Sequence, residues 1–361
     1  MQTSYFLGGS TPNGYVTDFW RENAKMYGYF LIGGPGTGKS TLMKKIAAAF
    51  QDEHVSVYHC ASDPNSLDAV VLEERCIYIA DATAPHEHGV TLPYISGQTV
   101  DLAALLDASL IADYSTEAEK FQSENQKAHQ HAKQCMKTLS ALTEIIRNIG
   151  KEALISDKIE MYADRLAKRL FSRELTEHSV YNQSFRQLSA FTPQGRITYI
   201  PNHARILCLQ DDWRYASEIL MQKLANYAAK RAISMEISKD LLQSDYPIQH
   251  LYFPALQLIL ISGKQIAASE SENTATIRLS RFYDVEQIRK HRNLAKFCIK
   301  TVKDSESQVT QYLNEALEWH NQLESVYRRG QQINRLNSLT DQIILQIKKD
   351  LPHSSDRTAD L

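Results

Sequence analysis

Nine consecutive residues carry the clearest chemistry in the chain. Residues 33–41 read GGPGTGKST and match the pattern G-x-x-x-x-G-K-[ST]. Glycines at this spacing let backbone amides curl around an anion, because no side chain obstructs them and positive φ is accessible. Lys39 can reach phosphate oxygens, and the Ser40 hydroxyl follows where Mg²⁺ binds beside a nucleotide. The residues predicted to contact a triphosphate are Gly33, Gly34, Pro35, Gly36, Thr37, Gly38, Lys39, Ser40 and Thr41.

The segments on either side of this loop place it between a strand and a helix. A short β-prone apolar run, residues 29–32, precedes the loop, and apolar residues recur at helical spacing over residues 42–50. A helix that starts at the loop directs its first amides and the positive end of its dipole at the phosphates. The order strand, loop, helix therefore predicts an α/β domain with a parallel sheet.

A nucleotide site of this kind also needs a carboxylate for the magnesium ion. Residues 76–81 read CIYIAD, a continuous apolar run that is typical of a buried parallel strand and ends in Asp81. Ligands bind at the carboxyl ends of such strands. We therefore predict Asp81 and Ser40 as the metal ligands, and Lys39 and Asp81 as catalytic residues.

The polar residues near these two strand ends leave alternatives open. Ala82 follows Asp81, where many ATPases with strong hydrolysis carry a glutamate, so rapid hydrolysis is not expected. Glu87 or His86 can position a water molecule or contact a second substrate, and a solvated loop explains them equally well; Glu87 is the third predicted catalytic residue. Residues 63–68 resemble the start of a helix capped by Asp63, which can otherwise activate water.

The second half of the chain repeats the first. TPNGYVT at residue 11 recurs as TPQGRIT at residue 192, and LMKKIA at residue 42 recurs as LMQKLA at residue 220. The repeat aligns the glycine-rich loop with residues 211–219, which read DDWRYASEI and contain no glycine. Lys39 then corresponds to Ser217 and Asp81 to Ser262. Bulky and acidic residues in the second loop predict that only the first half binds nucleotide.

Composition and charge exclude several classes of protein. The 361 residues are 43% hydrophobic and 23% charged, with a formal net charge of −2. This balance excludes a wholly disordered or collagen-like chain and gives no general attraction to nucleic acid or to an anionic membrane. No apolar run reaches the ~18 residues of a membrane span, and the first residues do not form a signal peptide. Five scattered cysteines without a CxxC motif predict reduced thiols and a cytoplasmic location.

The loop and its surroundings resemble the P-loop NTPases over residues 29–81. The segments GGPGTGKSTLMKKI, VYHCASDPNSLDAVVLEE and DATAPHE are together similar to a family of uncharacterised tandem P-loop ATPases. In that family both halves usually carry an intact loop, and this chain departs from the pattern in its second half. The resemblance implies nucleotide binding in the cytoplasm and names no substrate or pathway.

The predicted fold is therefore α/β, with two tandem P-loop NTPase-like parallel-sheet domains, each followed by a long helical hairpin or bundle segment. The long segments contain helical apolar spacing and almost no proline or glycine. The predicted boundaries are 1–111 for the intact domain, 112–172 for the first helical segment, 173–284 for the degenerate domain, 285–350 for the second helical segment, and 351–361 for a disordered tail.

Three functions fit these observations. The first is an ATPase with one ATP–Mg²⁺ site whose cycle switches the arrangement of the two domains, helped by an arginine from the inert copy; Arg196, Arg205 and Arg214 are the candidates. ATP is the default nucleotide, since no N-K-x-D motif for guanine follows the first domain.

The second function is a nucleotide or small-molecule kinase. Residues 112–172 would act as a lid, and the arginines that would clamp phosphates are Arg147, Arg165, Arg169 and Arg173; a charged solvated face is the alternative. The third is a nucleotide-binding module with little turnover whose helical segments bind a protein partner. The chain has no basic stripe interleaved with aromatic residues, so nucleic acid is not an expected partner.

Overall fold

The first six-stranded sheet carries the glycine-rich loop. The computed structural model describes residues 2–86, 88–172, 181–263 and 274–349. The strands of this sheet have the order β1-β5-β6-β7-β4-β8. The strands of the first half are β1 (Gln2–Phe6), β2 (Gly9–Thr11), β3 (Gly14–Val16), β4 (Tyr27–Ile32), β5 (Val55–His59), β6 (Leu67–Leu72), β7 (Ile77–Asp81) and β8 (Gly97–Asp101). The short helix α1 (Phe19–Glu22) precedes β4, and α2 (Lys39–Ala49) follows it.

The first sheet is mixed, so the prediction of a parallel sheet is wrong at one strand. β6 runs antiparallel to both β5 and β7, while the other neighbours are parallel. The predicted helix start at residues 63–68 is also wrong. Asp63 accepts hydrogen bonds from the Asn65 amide and the Ser66 hydroxyl, which closes a turn, and six buried residues then form β6. A buried apolar run of this length fits a central strand as well as a helix, and periodicity cannot separate them.

The second sheet repeats the first, strand for strand. Its order is β16-β12-β15-β14-β13-β9, and only β14 runs against the other five strands. The strands of the second half are β9 (Gln183–Phe185), β10 (Ser189–Thr192), β11 (Gly195–Thr198), β12 (Arg205–Gln210), β13 (Met235–Lys239), β14 (Ile248–Phe253), β15 (Leu258–Ser262) and β16 (Thr274–Arg278). Helix α5 (Tyr215–Lys230) follows β12, as α2 follows β4.

The two halves meet through equivalent residues. The backbones of Phe6 and Gln187, which correspond in the repeat, form a bridge to each other. On one side of it the Tyr5 hydroxyl donates to the Glu236 carboxylate at 3.0 Å, and on the other Arg186 pairs with Glu73 at 2.9 Å. The halves are therefore arranged around an approximate two-fold axis.

Two long antiparallel helices cross between the halves. Helix α3 (Ser115–Ala153) lies against α7 (Arg292–Arg329): the Phe121 ring faces that of Trp319, and the Asn125 side chain donates to the Ala316 carbonyl at 2.7 Å. Apolar residues of both helices, including Met136 and Leu313, form one buried cluster. The remaining helices are α4 (Ser156–Leu170), α6 (Val285–Lys290) and α8 (Ile333–Lys349).

The short helices that end the two helical segments are exchanged between the halves. Helix α4 follows the first half in sequence, yet its Ile159 belongs to the core of the second sheet and α5. Helix α8 follows the second half, yet its Ile343 and Ile347 are buried with α2 and the first sheet. Each sheet is therefore completed by a helix from the other half, so neither half is a self-contained packing unit. The predicted tail, residues 351–361, lies outside the described residues.

None of the helices in the described ranges is both long enough and apolar enough to cross a lipid bilayer.

Candidate functional site

The glycine-rich loop connects the end of β4 to the start of α2 and contains glycines in left-handed backbone conformations. Gly36 has a φ of 73° and Gly38 a φ of 97°, in the left-handed region that favours glycine. Helix α2 begins at Lys39, so its first amides face the loop. The sequence motif thus folds into the strand–loop–helix unit on which phosphate binding depends.

Lys39 and Asp81 meet at the carboxyl edge of the sheet. The Lys39 Nζ atom lies 3.5 Å from Asp81 Oδ2, and it donates to the Gly33 and Gly34 carbonyls. Asp81 in turn accepts hydrogen bonds from the Thr83 amide, at 2.8 Å, and from the Thr83 hydroxyl. The fold brings these two predicted catalytic residues together because β4 and β7 are parallel neighbours that end at one edge.

The residues present fit a magnesium ion at this edge. Ser40 begins the same helix as Lys39, and its Oγ atom accepts a hydrogen bond from the Leu67 amide at 3.0 Å, which leaves a second lone pair free. Mg²⁺ needs only one or two protein ligands when substrate phosphates and water complete its shell. Ser40 and Asp81 supply that number, although the described ranges contain no cluster of three or more His, Cys, Asp and Glu suited to a metal.

The loop forms one wall of a cavity of about 1120 Å³. The opposite wall consists of α3 and α7, including Lys133, Tyr327 and Arg328. Helix α7 lies so close to the loop that a Cβ atom on Gly36 would stand 2.8 Å from the Glu324 carbonyl oxygen. This wall was not predicted from the sequence, because its residues lie about a hundred positions from the loop in α3 and almost three hundred positions from it in α7, and both helices follow an ordinary helical pattern.

Two further buried side chains line the cavity beside Asp81. Asp68 is 6% exposed and His86 is 8% exposed, and their Oδ2 and Nε2 atoms are 3.3 Å apart. Burial, together with the neighbouring Asp81 carboxylate, raises the pKa of Asp68 to about 8. Burial lowers the pKa of His86, which therefore stays neutral near pH 7. Glu87, the third predicted catalytic residue, lies outside the described residues.

In the second half, the loop that corresponds to the glycine-rich loop is folded around its own carboxylate, that of Asp211. Asp211 accepts hydrogen bonds from the Ser217 amide at 2.7 Å, the Trp213 amide at 3.1 Å and the Tyr283 hydroxyl at 2.9 Å. Burial raises the pKa of Asp211, while these donors act in the opposite direction. The counterparts of Lys39 and Asp81 are Ser217 and Ser262, whose hydroxyls are 3.2 Å apart. The charged pair of the first half is thus replaced by a neutral one.

The predicted phosphate-binding arginines lie away from the cavity. Arg147 on α3 pairs instead with Glu218 at 2.7 Å and with Asp245 at 2.7 Å, in the second half, so its predicted role as a phosphate clamp is wrong. The helix exchange explains this result, since the C-terminal end of α3 docks on the second loop. Arg165 and Arg169 are exposed on α4, which covers the second sheet, and Arg173 lies outside the described residues.

The three candidate arginine fingers are also absent from the cavity lining. Arg196 stacks on the Phe191 ring at 4.4 Å, Arg205 starts β12, and Arg214 belongs to the second loop. Arg328 lines the cavity instead. It pairs with Glu324 at 2.6 Å and is the arginine that α7 contributes beside the loop.

Comparisons with protein-family models, with curated proteins and with solved structures found no match for this chain.

Proposed function

We propose that the chain is an ATPase with one ATP–Mg²⁺ site, in its first half, and an inert second copy. The observation that carries this proposal is the 3.5 Å approach of Lys39 Nζ to Asp81 Oδ2 beneath a loop with left-handed glycines. A cation, a carboxylate and converging amides at the start of a helix form a constellation suited to a triphosphate.

Each residue has a separate task in this proposal. The loop amides and Lys39 bind the β- and γ-phosphates, and Ser40 with Asp81 would hold Mg²⁺, which neutralises phosphate charge when bound. Lys39 exchanges its contact with Asp81 for the phosphates. Thr83 donates to Asp81 and so keeps the carboxylate oriented. Catalysis then depends on position and charge rather than on covalent chemistry.

Because α7 forms part of the cavity wall, we infer that nucleotide binding in the loop is coupled to the position of this helix. Tyr327 and Arg328 come from the second half, and a phosphate in the loop would lie beneath them. Tyr327 and Arg328 belong to the last turn of α7, a few residues before α8 begins at Ile333. A displacement of that turn would therefore also move α8, which covers the first sheet. We therefore expect nucleotide binding to change how α7 and α8 dock on the first half.

The experiment is calorimetric titration of ATP–Mg²⁺ and GTP–Mg²⁺ into the purified chain, followed by measurement of phosphate release. We expect one ATP per chain and slow, steady release. The Lys39→Ala variant should lose ATP binding or turnover while its circular-dichroism spectrum is unchanged. ATP affinity equal to that of the wild-type chain in this variant would reject the site.

The cavity volume favours a small-molecule kinase as a second candidate. A nucleoside triphosphate has about 30 non-hydrogen atoms and, at the density of protein interiors, occupies roughly 500 Å³. The cavity of about 1120 Å³ has room for a second molecule. Phosphorus NMR of the chain with ATP–Mg²⁺ and the four ribonucleosides tests this candidate: a new phosphomonoester signal supports it, and free phosphate alone supports hydrolysis.

A further inference from the structure

The N-terminal part of α7 carries a concentration of positive charge that the proposed function does not use. Residues 287–303 contain six lysines and arginines and no acidic residue, although the whole chain has a formal net charge of −2. Four of these cations are exposed and recur at spacings of four, four and three residues: Arg292, Lys296, Lys300 and Lys303. Residues at this spacing share one face of a helix, so the four form a basic stripe about 16 Å long.

The four cations of the basic stripe have no ion-pair partner among the described residues, and Asp304, which follows the stripe, does not pair with them. Other cations close by or on the same helix are paired. Arg289 lies 2.7 Å from Glu286, and Arg328, at the other end of α7, lies 2.6 Å from Glu324. The opposite face of the helix is buried against α3. The charge of the stripe is therefore exposed to solvent and available to an anionic partner.

Three large apolar side chains are exposed beside the basic stripe. Phe297 is 61% exposed, Ile299 47% and Leu294 44%. At 100° per residue, Phe297 and Leu294 lie along one side of the stripe and Ile299 along the other. Exposed apolar side chains that lie together among polar residues mark sites of interaction. The prediction that no basic stripe contains an aromatic residue is wrong at this face, because helical spacing places Phe297 beside the cations.

An anionic lipid surface has partners for both kinds of side chain. Its headgroups attract lysine and arginine, and the boundary with the acyl chains accepts phenylalanine and leucine. Single-stranded nucleic acid binds instead in grooves where several aromatic rings stack on bases. The basic stripe lies on a convex helix with one aromatic ring, and the aliphatic Leu294 and Ile299 cannot stack. Lipid therefore fits this face better than nucleic acid does.

We propose that this face of α7 binds the surface of an anionic membrane, with Phe297 inserted between the headgroups. The contact is peripheral and needs no spanning helix. It is separate from the proposed ATPase site, because Phe297 is thirty residues, about 45 Å along the helix, from Tyr327 above the glycine-rich loop. Each lysine or arginine near such a surface strengthens binding about fivefold.

The test is sedimentation of the purified chain with vesicles of phosphatidylcholine, alone or mixed with an equal part of phosphatidylserine. We expect binding to the mixed vesicles, weakened by added salt, and little binding to the neutral ones. The double variant Lys296→Gln, Lys300→Gln should bind about 25-fold more weakly, and Phe297→Ser about tenfold more weakly. The control is Lys348→Gln, Lys349→Gln, which removes the same charge from exposed lysines at the end of α8 and should bind like the wild-type chain.

Four results would overturn this proposal. Absence of binding to the mixed vesicles rejects the membrane, and binding of a single-stranded oligonucleotide in its place assigns the basic stripe to nucleic acid. Equal binding to both kinds of vesicle rejects the role of charge. Equal affinity of Lys296→Gln, Lys300→Gln and the control places the contact elsewhere on the molecule, and wild-type affinity in Phe297→Ser rejects insertion. All these side chains are exposed, so thermal unfolding and phosphate release should not change, which keeps this test separate from that of the ATPase.

Discussion

Charged residues at the carboxyl edge of the first sheet are the part of the molecule that can respond to a phosphate. Lys39 and Asp81 neutralise each other in the structure, with both side chains 14% exposed. An anion that enters the loop would compete with Asp81 for the lysine and leave that carboxylate to a cation. In the proposed function, phosphate binding by Lys39 and metal binding by Asp81 would therefore support each other.

Asp81→Asn should weaken the dependence of turnover on Mg²⁺, because an amide binds a hard cation less well than a carboxylate. We expect at least about a tenfold rise in the Mg²⁺ concentration needed for half-maximal phosphate release. Asp101→Asn is the matched control, since Asp101 ends strand β8, on the other side of β4 from β7, and accepts hydrogen bonds from the amides of the following turn. Unchanged Mg²⁺ dependence in Asp81→Asn would move the metal role to another residue.

Asp211→Ala should destabilise the second half without creating a nucleotide site. Three donors lose their acceptor, and each buried donor left unpaired costs about 1–3 kcal/mol. Thermal unfolding should show the loss, and calorimetry should still count one ATP. Asp212, the next residue, is exposed, so Asp212→Ala is the control variant. If Asp211→Ala unfolds at the wild-type temperature, the carboxylate does not stabilise the second loop.

At the scale of elements, the exchange of α4 and α8 makes each half depend on the other. Helix α8 buries Leu336, Ile343 and Ile347 against α2, the helix that starts at the glycine-rich loop. The packing that stabilises α2 therefore includes residues close to the C-terminal end of the described chain. This arrangement gives the second half a structural role, because without it the glycine-rich loop and α2 would lose the helices that cover them.

Ile343→Ala should reduce both stability and ATP affinity. Truncation of a buried isoleucine to alanine lowers the free energy of unfolding by about 2–5 kcal/mol. Here the lost packing is that between α8 and α2. Hydrogen exchange should accelerate in α2 (Lys39–Ala49) and less in α5 (Tyr215–Lys230). Leu345 lies on the same helix and is 55% exposed, so Leu345→Ala should leave both quantities unchanged. Equal effects in the two variants would contradict the exchanged packing.

At the scale of the whole molecule, the two halves are related by an approximate two-fold axis, but the loops on which the long helices α3 and α7 dock contain different residues. Arg147 and Gly150 of α3 dock on a loop that holds its own carboxylate, whereas Glu324 and Tyr327 of α7 dock on the glycine-rich loop. In the proposed function, nucleotide would contact only the end of α7. We then expect the contact of α3 with the second loop to stay unchanged and that of α7 with the first loop to depend on nucleotide.

Hydrogen exchange with and without ATP–Mg²⁺ should reveal this asymmetry. We expect slower exchange at the C-terminal end of α7, which covers the loop, and no change at the matching end of α3. Ser217→Ala should leave the stoichiometry at one nucleotide per chain. Two nucleotides per chain, or equal protection of both helix ends, would contradict the inert second site.

The local structure around the loop could be predicted from sequence because neighbours in the chain determine it. The loop, the strand before it and the helix after it occupy one short stretch, so glycine spacing and apolar periodicity were sufficient. Asp81 followed from a second local rule, that buried parallel strands end at the ligand edge. The repeat was also visible, because duplicated segments keep their order.

The residues that surround the loop could not be predicted, because they come together only through long-range packing. The reversed strand β6 brought Asp68 beside Asp81, and a buried apolar run does not state its direction or its partners. The exchange of helices placed α7 over the first loop and Arg147 on the second half. Two nearly equivalent sheets accept similar helices, so the choice between them depends on packing between residues far apart in the chain. Local sequence was therefore sufficient to predict a glycine-rich loop between a strand and a helix, whereas long-range packing placed α7 over that loop.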